Sequence, residues 1–190
     1  MSHIVKRDLS RNWAGWLSVV LFVLTIPLGN WMVVNVGFVC EPNGPCLIPV
    51  WPGIMSPSAV LVAGLALVLR DAVHQLLGGK WALYCIFAGA VLSGFISEPS
   101  LILASTCAFL FSELADFLVY TPLRHRSLGW AVILSGLAGS MVDSAIFLSM
   151  AFGSLEFLLG QVIGKFWMSL IGGAILVLWK RYRAPAVQTI

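Results

Sequence analysis

Charge is what this sequence has least of. Asp, Glu, Lys and Arg make up 10% of its 190 residues, where an ordinary soluble domain carries about a quarter. That shortage excludes a water-soluble globular fold, and with it the basic face that nucleic-acid binding needs. Histidine is scarce too, at His3, His74 and His125 only. No H-E-x-x-H helix, paired metal-ligand spacing or G-x-S-x-G elbow is present, so the motif-borne metal and hydrolase chemistries have no foothold. The sequence reads as a non-enzyme that needs no metal or cofactor. Heptads, low-complexity tracts and clear internal repeats are also lacking.

What is present is apolar sequence, 59% of the chain. Six segments, at 13–36, 55–77, 81–97, 100–121, 128–151 and 155–179, are each long enough for a membrane-spanning helix of roughly 20 residues. The expected fold is all-α: a single domain over 1–190, a compact bundle of six transmembrane helices. The first segment is too long for the apolar core of a cleavable signal and has no clear small-residue cleavage site.

The few basic residues give an orientation. Lys6, Arg7 and Arg11 precede the first span, and Arg70 and Lys80 flank the second connection. Arg124 and Arg126 occupy the fourth connection, and Lys180, Arg181 and Arg183 follow the last span. Connections one, three and five carry Glu41, Glu98 and Glu156 instead. The positive-inside rule then puts both termini in the cytoplasm, which accounts for the formal net charge of +3. Lys165, inside the sixth span, is the one basic residue outside this alternation.

Trp13, Trp16 and Trp31 mark the ends of the first span as interfacial belts do. Pro27 is a candidate kink, and Asn30 and Asn35 suit either a vestibule or the headgroup region. The one long connection, 37–56, holds Pro42, Pro45, Pro49 and Pro52. It reads as a turn-rich lid or cap. Cys40 and Cys46 lie in it on the non-cytoplasmic side, where a disulfide is allowed; spacing alone leaves the pairing open. Cys85 and Cys107 read as ordinary buried cysteines. Ser56-Pro57 resembles a helix start. The apolar run from Ser58 to Leu69 is too short to span, so this helix must continue through Arg70, Asp71, His74 and Gln75 to Gly78-Gly79, where glycine ends it. On that reading Arg70 snorkels at a wet helix end, which leaves Asp71 unexplained.

The remaining ionisable groups at depth carry the functional reading. Glu113 and Asp116, at i and i+3 in Phe109-Leu-Phe-Ser-Glu-Leu-Ala-Asp-Phe-Leu-Val-Tyr120, share one helix face. Asp143 stands among Ser135, Gly136, Gly139, Ser140 and Ser144 in the fifth span. Gln161, Lys165 and Met168 follow one another at helical spacing in the sixth, beside Gly160-x-x-x-Gly164, which is a packing signal first. Exposing a charge to lipid costs at least ~2.5 kcal/mol. Asp71, Glu113, Asp116, Asp143 and Lys165 must therefore pair, protonate or face a ligand. Lys165 suits either Asp116 or Asp143, and these groups are expected to converge on one central cavity with Asp71 at its cytoplasmic side. Mixed charges at mid-membrane make a carrier's pocket more naturally than a channel's ring.

Asp71-x-x-x-Gln75-x-x-Gly78, Ser112-Glu-Leu-Ala-Asp-Phe-Leu-Val-Tyr120, Val142-Asp-Ser-x-Ile-Phe147 and the Lys165-bearing last helix together resemble the queuosine precursor transporters, also called the vitamin uptake transporter family. The resemblance covers most of 55–180 and departs from the family at Gln75, where many members carry Glu. It implies a multi-pass protein of the cytoplasmic (inner) membrane that imports a 7-deazaguanine: 7-cyano-7-deazaguanine, 7-aminomethyl-7-deazaguanine or queuine. The implied partners are that base and the lipid bilayer, with a homodimer admissible and no nucleic acid. The adjacent N–H donors of a guanine-like edge suit Glu113, Asp116 or Asp143. Lys165 and Gln161 suit its acceptor oxygen, Phe109 and Trp167 its flat face, and Asp71 and Gln75 complete the candidate set. The alternatives are a substrate-binding subunit of an energy-coupling-factor vitamin importer and a non-transporting assembly protein.

Overall fold

The computed structural model describes residues 2–40, 45–97 and 102–183, with side chains described at 12–40, 45–97, 102–151 and 153–178. Six helices follow one another: α1 Ser2–Asn35, α2 Val60–Leu77, α3 Gly79–Ile96, α4 Ile102–Leu123, α5 Leu128–Phe152 and α6 Leu158–Arg183. Each contains a stretch long and apolar enough to cross a membrane. The all-α bundle is as expected. Glu41, Glu98 and residues 184–190 lie outside the described residues, and so do the side chains of Lys6, Arg7, Arg11, Lys180, Arg181 and Arg183.

α2 is the most buried of the six spans, and it carries three ionisable side chains, Arg70, Asp71 and His74. These two properties belong together. A helix that carries Arg70, Asp71 and His74 can stay in a membrane only if other helices cover those groups. α1, α3 and α6 pack along it, with α4 and α5 completing the enclosure. On one side Val68 and Ala72 join Tyr120, Ala131, Val132 and Leu176. On the other, Ala66 and Val73 join Phe22, Ala82 and Cys85. The large hydrophobics left exposed, such as Leu103, Leu118, Trp130 and Ile175, are those a lipid-facing surface requires.

The first connection is the departure from an all-helical reading. It folds into a small antiparallel sheet of β1 Val39–Cys40, β2 Cys46–Trp51 and β3 Ile54–Pro57, in the order β1-β2-β3. Pro52 and Gly53 turn β2 into β3, with Gly53 at φ 77°, the left-handed geometry a type II turn asks of glycine. Cys40 and Cys46 face each other in register and are joined by a disulfide; Cys85 and Cys107 are free. Ser56-Pro57 is therefore not a helix start. Both residues pair with β2, opposite Ile48 and Leu47, and α2 begins at Val60. The Ser58 hydroxyl donates to the Met32 carbonyl at 2.8 Å instead of capping α2, which fastens the sheet to the end of α1.

Where α1, α3 and α5 end and α2, α4 and α6 begin is called the sheet end below. At the opposite end α2 stops at Gly78, φ 100°, and α3 starts at the next residue. Pro27 sits inside α1 and Pro122 inside the last turn of α4. The glycines of α6 let it close on its neighbours. A Cβ on Gly160 would strike the Met55 carbonyl, and one on Gly164 would lie 2.8 Å from Val60. Facing α6, Gly64 of α2 has the Lys165 Cα 2.9 Å from where its own Cβ would be.

Candidate functional site

A cavity of about 630 Å³ opens among the sheet-end halves of all six helices. Thr25, Asn30 and Val33 of α1, Ala63 and Leu67 of α2, and Ser93 and Ser97 of α3 form one side. Phe109, Ser112 and Glu113 of α4, Asp143 and Phe147 of α5, and Gln161 and Lys165 of α6 form the other. The wall is mostly apolar and its few polar groups converge, the usual make-up of a small-molecule site.

Lys165 is buried with its ammonium on the Asp143 carboxylate. It also donates to Ser144 Oγ at 2.8 Å and to Gln161 Oε1 at 3.0 Å, so all three ammonium protons are used. Of the two partners open to Lys165, the fold selects Asp143. That carboxylate is 23% exposed and looks into the cavity.

Below the cavity, toward the opposite end, lies a second cluster. The Arg70 guanidinium, fully buried, contacts three carboxylates at once. Nη1 donates to Asp71 Oδ1 at 2.6 Å, Nε donates to Glu113 Oε2 at 3.0 Å, and Nη2 pairs with Asp116 Oδ1. Ser135 of α5 donates to Asp71 Oδ2 at 3.3 Å. The Phe117 and Tyr120 rings lie within about 6 Å of the guanidinium carbon, close enough for cation–π attraction. Glycine at 139 brings the α5 backbone against Asp116, because a Cβ there would sit 3.0 Å from that of Asp116. Glu113 belongs to both places: it lines the cavity and it holds Arg70.

The candidates therefore divide. Glu113, Asp143, Gln161, Lys165 and Phe109 surround the cavity. Asp71 and Asp116 do not line it; they lie beneath, on Arg70. Gln75 is one helical turn beyond Asp71, half-buried and away from the cavity. Trp167 is outside as well, 40% exposed, with its ring stacked on Trp51 at 6.0 Å and its Nε1 donating to the Val50 carbonyl. It buttresses the sheet against α6. Asn30 lines the cavity, while Asn35 is exposed.

Arg70 corrects the sequence reading twice. It does not snorkel, and Lys165 is not the sole base at depth. Ten residues into α2, Arg70 lies roughly 15 Å from the start of the helix, near mid-span and beyond the reach of headgroups. The signal was available: a span forced to continue past Leu69 carries Arg70 inward, and four buried acids need more than one base.

Residues 93–179 match the model of a family described as putative vitamin uptake transporter. The matched stretch runs from the end of α3 into α6 and includes Glu113, Asp116, Asp143, Gln161 and Lys165; Arg70 and Asp71 precede it. No curated protein and no solved structure gives a significant match to the chain. Six apolar spans and a polar-studded cavity suit a multi-pass membrane transporter, and over residues 93–179 the chain is similar to the family described as putative vitamin uptake transporter, the one its motifs resemble.

Proposed function

We propose that the chain imports a queuosine precursor, a 7-deazaguanine base, across the cytoplasmic membrane, taking it up from the sheet end into the cavity. The observation that carries this reading is the placing of a carboxylate and a cation around one cavity, Glu113 on α4 and Lys165 with Gln161 on α6. A guanine-like edge presents adjacent N–H donors beside a carbonyl acceptor. The donors suit Glu113, whose Oε1 accepts no hydrogen bond from a described residue. The carbonyl suits the Gln161 amide N–H donors, which Lys165 orients by donating to Gln161 Oε1. Phe109 supplies an aromatic face for the ring. Asp143 pairs with Lys165 and is the second acceptor within reach.

The experiment is binding and uptake by the purified chain in lipid vesicles, with 7-cyano-7-deazaguanine set against guanine, adenine and biotin. Saturable uptake of the deazaguanine by the chain alone is the expected result. Binding of biotin in its place would refute the substrate. Binding without uptake until partner ATPases are added would favour the energy-coupling-factor reading.

A further inference from the structure

The two buried clusters differ in charge balance. Lys165 and Asp143 form a neutral pair. Arg70 faces three carboxylates, all at most 2% exposed. Taken as fully ionised, that cluster holds two uncompensated negative charges in the middle of a membrane span, a state costing several kcal/mol per ion. The surrounding groups do not supply the missing charge. From α2 comes His74, stacked on Phe117 at 4.9 Å with its Nδ1 buried and unpartnered. α4 adds Tyr120, whose buried hydroxyl has no partner, and Arg124, just past its end, is committed to the His74 carbonyl at 2.9 Å. α3 adds the buried free thiol of Cys85. Asp143 of α5 adds a negative charge and Lys165 of α6 is spent on it, while the described side chains of α1 include no titratable group.

The oxygens locate what is needed. Arg70 takes one oxygen from each carboxylate. Asp71 Oδ2 has Ser135, and Asp116 Oδ2 is fully buried with no hydrogen-bond donor. Asp71 Oδ1 and Asp116 Oδ1 sit on the two terminal nitrogens of one guanidinium, which brings the two carboxylates together. Ionised carboxylates are acceptors only, so a proton is what holds such a pair together, as in carboxylate dyads generally.

We propose that the Arg70, Asp71, Glu113 and Asp116 cluster is a proton-binding site that makes the chain a proton symporter, with Asp71 and Asp116 sharing the carried proton. This rests on the transporter reading above. Glu113 links the two functions. Ionised, it offers an oxygen to the N–H donors of the base in the cavity, and it can remain ionised beneath the base only if Asp71 and Asp116 share a proton. The step is a simple transfer. An O–H bond forms on the Asp pair at the expense of a hydronium ion from the sheet-end solvent, and it breaks to water at the opposite end, with no oxidation or reduction. His74 and Tyr120, each one turn further along their helices from Arg70 and Asp116, supply unpartnered polar atoms on that exit side. A proton suits the cluster better than a metal cation. No group of His, Cys, Asp and Glu among the described residues could hold a metal ion, and the guanidinium occupies the centre.

Two measurements on the full chain in vesicles test this independently. Infrared spectra of substrate-free protein at pH 7 should show a protonated-carboxyl band that shifts in D2O, is lost in Asp116→Asn and returns in Asp116→Glu. Absence of that band in the wild type overturns the proposal whether or not the base binds. With 7-cyano-7-deazaguanine as probe, an imposed gradient, acidic outside, should drive about tenfold accumulation per pH unit, the equivalent of one proton per base. Accumulation unchanged by collapsing the pH gradient, or driven equally by sodium, also overturns it. Failure of the wild type to bind the base while the band persists refutes the substrate alone.

Discussion

At the scale of single residues, Arg70 holds the most tightly constrained position. Its three nitrogens are each matched to a carboxylate, so removing the guanidinium leaves buried acids with nothing against them. Arg70→Met should destabilise the fold by about 3–5 kcal/mol, the cost of breaking one side of a buried pair. Arg70→Lys should recover little of that, since an ammonium cannot present three donors in a planar fork. Thermal unfolding in detergent checks both. Lys165 and Asp143 offer a contrasting case. Each single change, Lys165→Met or Asp143→Asn, strands the other partner's charge, whereas the double change removes the pair. The double variant should therefore be the more stable, with a coupling energy of about 0.5–3 kcal/mol in a double-mutant cycle. For binding, Glu113→Gln keeps shape and one acceptor but loses the charge assistance. The affinity for 7-cyano-7-deazaguanine should fall about 10- to 150-fold, the equivalent of about 1.5–3 kcal/mol, by equilibrium binding to the purified chain.

At the scale of elements, two contacts decide where the site sits. One is the approach of α6 to α2 at Gly64, beside the Lys165 backbone. Gly64→Val needs space that backbone occupies. It should cost about 1–3 kcal/mol through overpacking and displace Lys165 from Asp143, which a thermal melt and a crosslink between α2 and α6 would reveal together. The other is the disulfide-closed sheet. It is pinned to α1 through Ser58 and Met32 and to α6 through Trp167 and Val50, so it anchors the ends of the helices that form the mouth of the cavity. Replacing Cys40 and Cys46 by serine opens a short loop and should cost about 2 kcal/mol on the chain-entropy scale. Faster hydrogen exchange should then appear in the three strands and leave the Arg70 cluster protected. This sheet was legible in part. Leu47-Ile-Pro-Val-Trp51, Pro52-Gly53 and Ile54-Met55 form an apolar run, a turn pair and a second apolar run, a hairpin signal masked by the density of prolines.

At the scale of the whole molecule, the bundle is arranged around the helix that carries Arg70, Asp71 and His74. A soluble protein buries its most hydrophobic segment; in a membrane the order reverses, because lipid accepts leucine and excludes arginine. α2 is central for that reason, and the other five spans turn their apolar faces outward. The alternation of basic residues sets the expected topology, with both ends cytoplasmic. A reporter fused after residue 190 should be active only in its cytoplasmic form, and an extracytoplasmic signal there would overturn that topology.

The sequence by itself determined the class of the molecule, its six spans, and the fact that Asp71, Glu113, Asp116, Asp143 and Lys165 had to be hidden from lipid. Each of these follows from a local cost, the transfer of one side chain into hydrocarbon, and a local cost can be read one residue at a time. Partners could not be read that way. That Lys165 takes Asp143 and not Asp116, that Arg70 gathers three acids from α2 and α4, that Trp167 braces a sheet and stays out of the cavity, and that Glu113 joins the cavity to the ion cluster all depend on how five helices close around α2. Pairing energies fall off with distance and depend on burial, and both are set only when helix faces and depths are fixed together by packing.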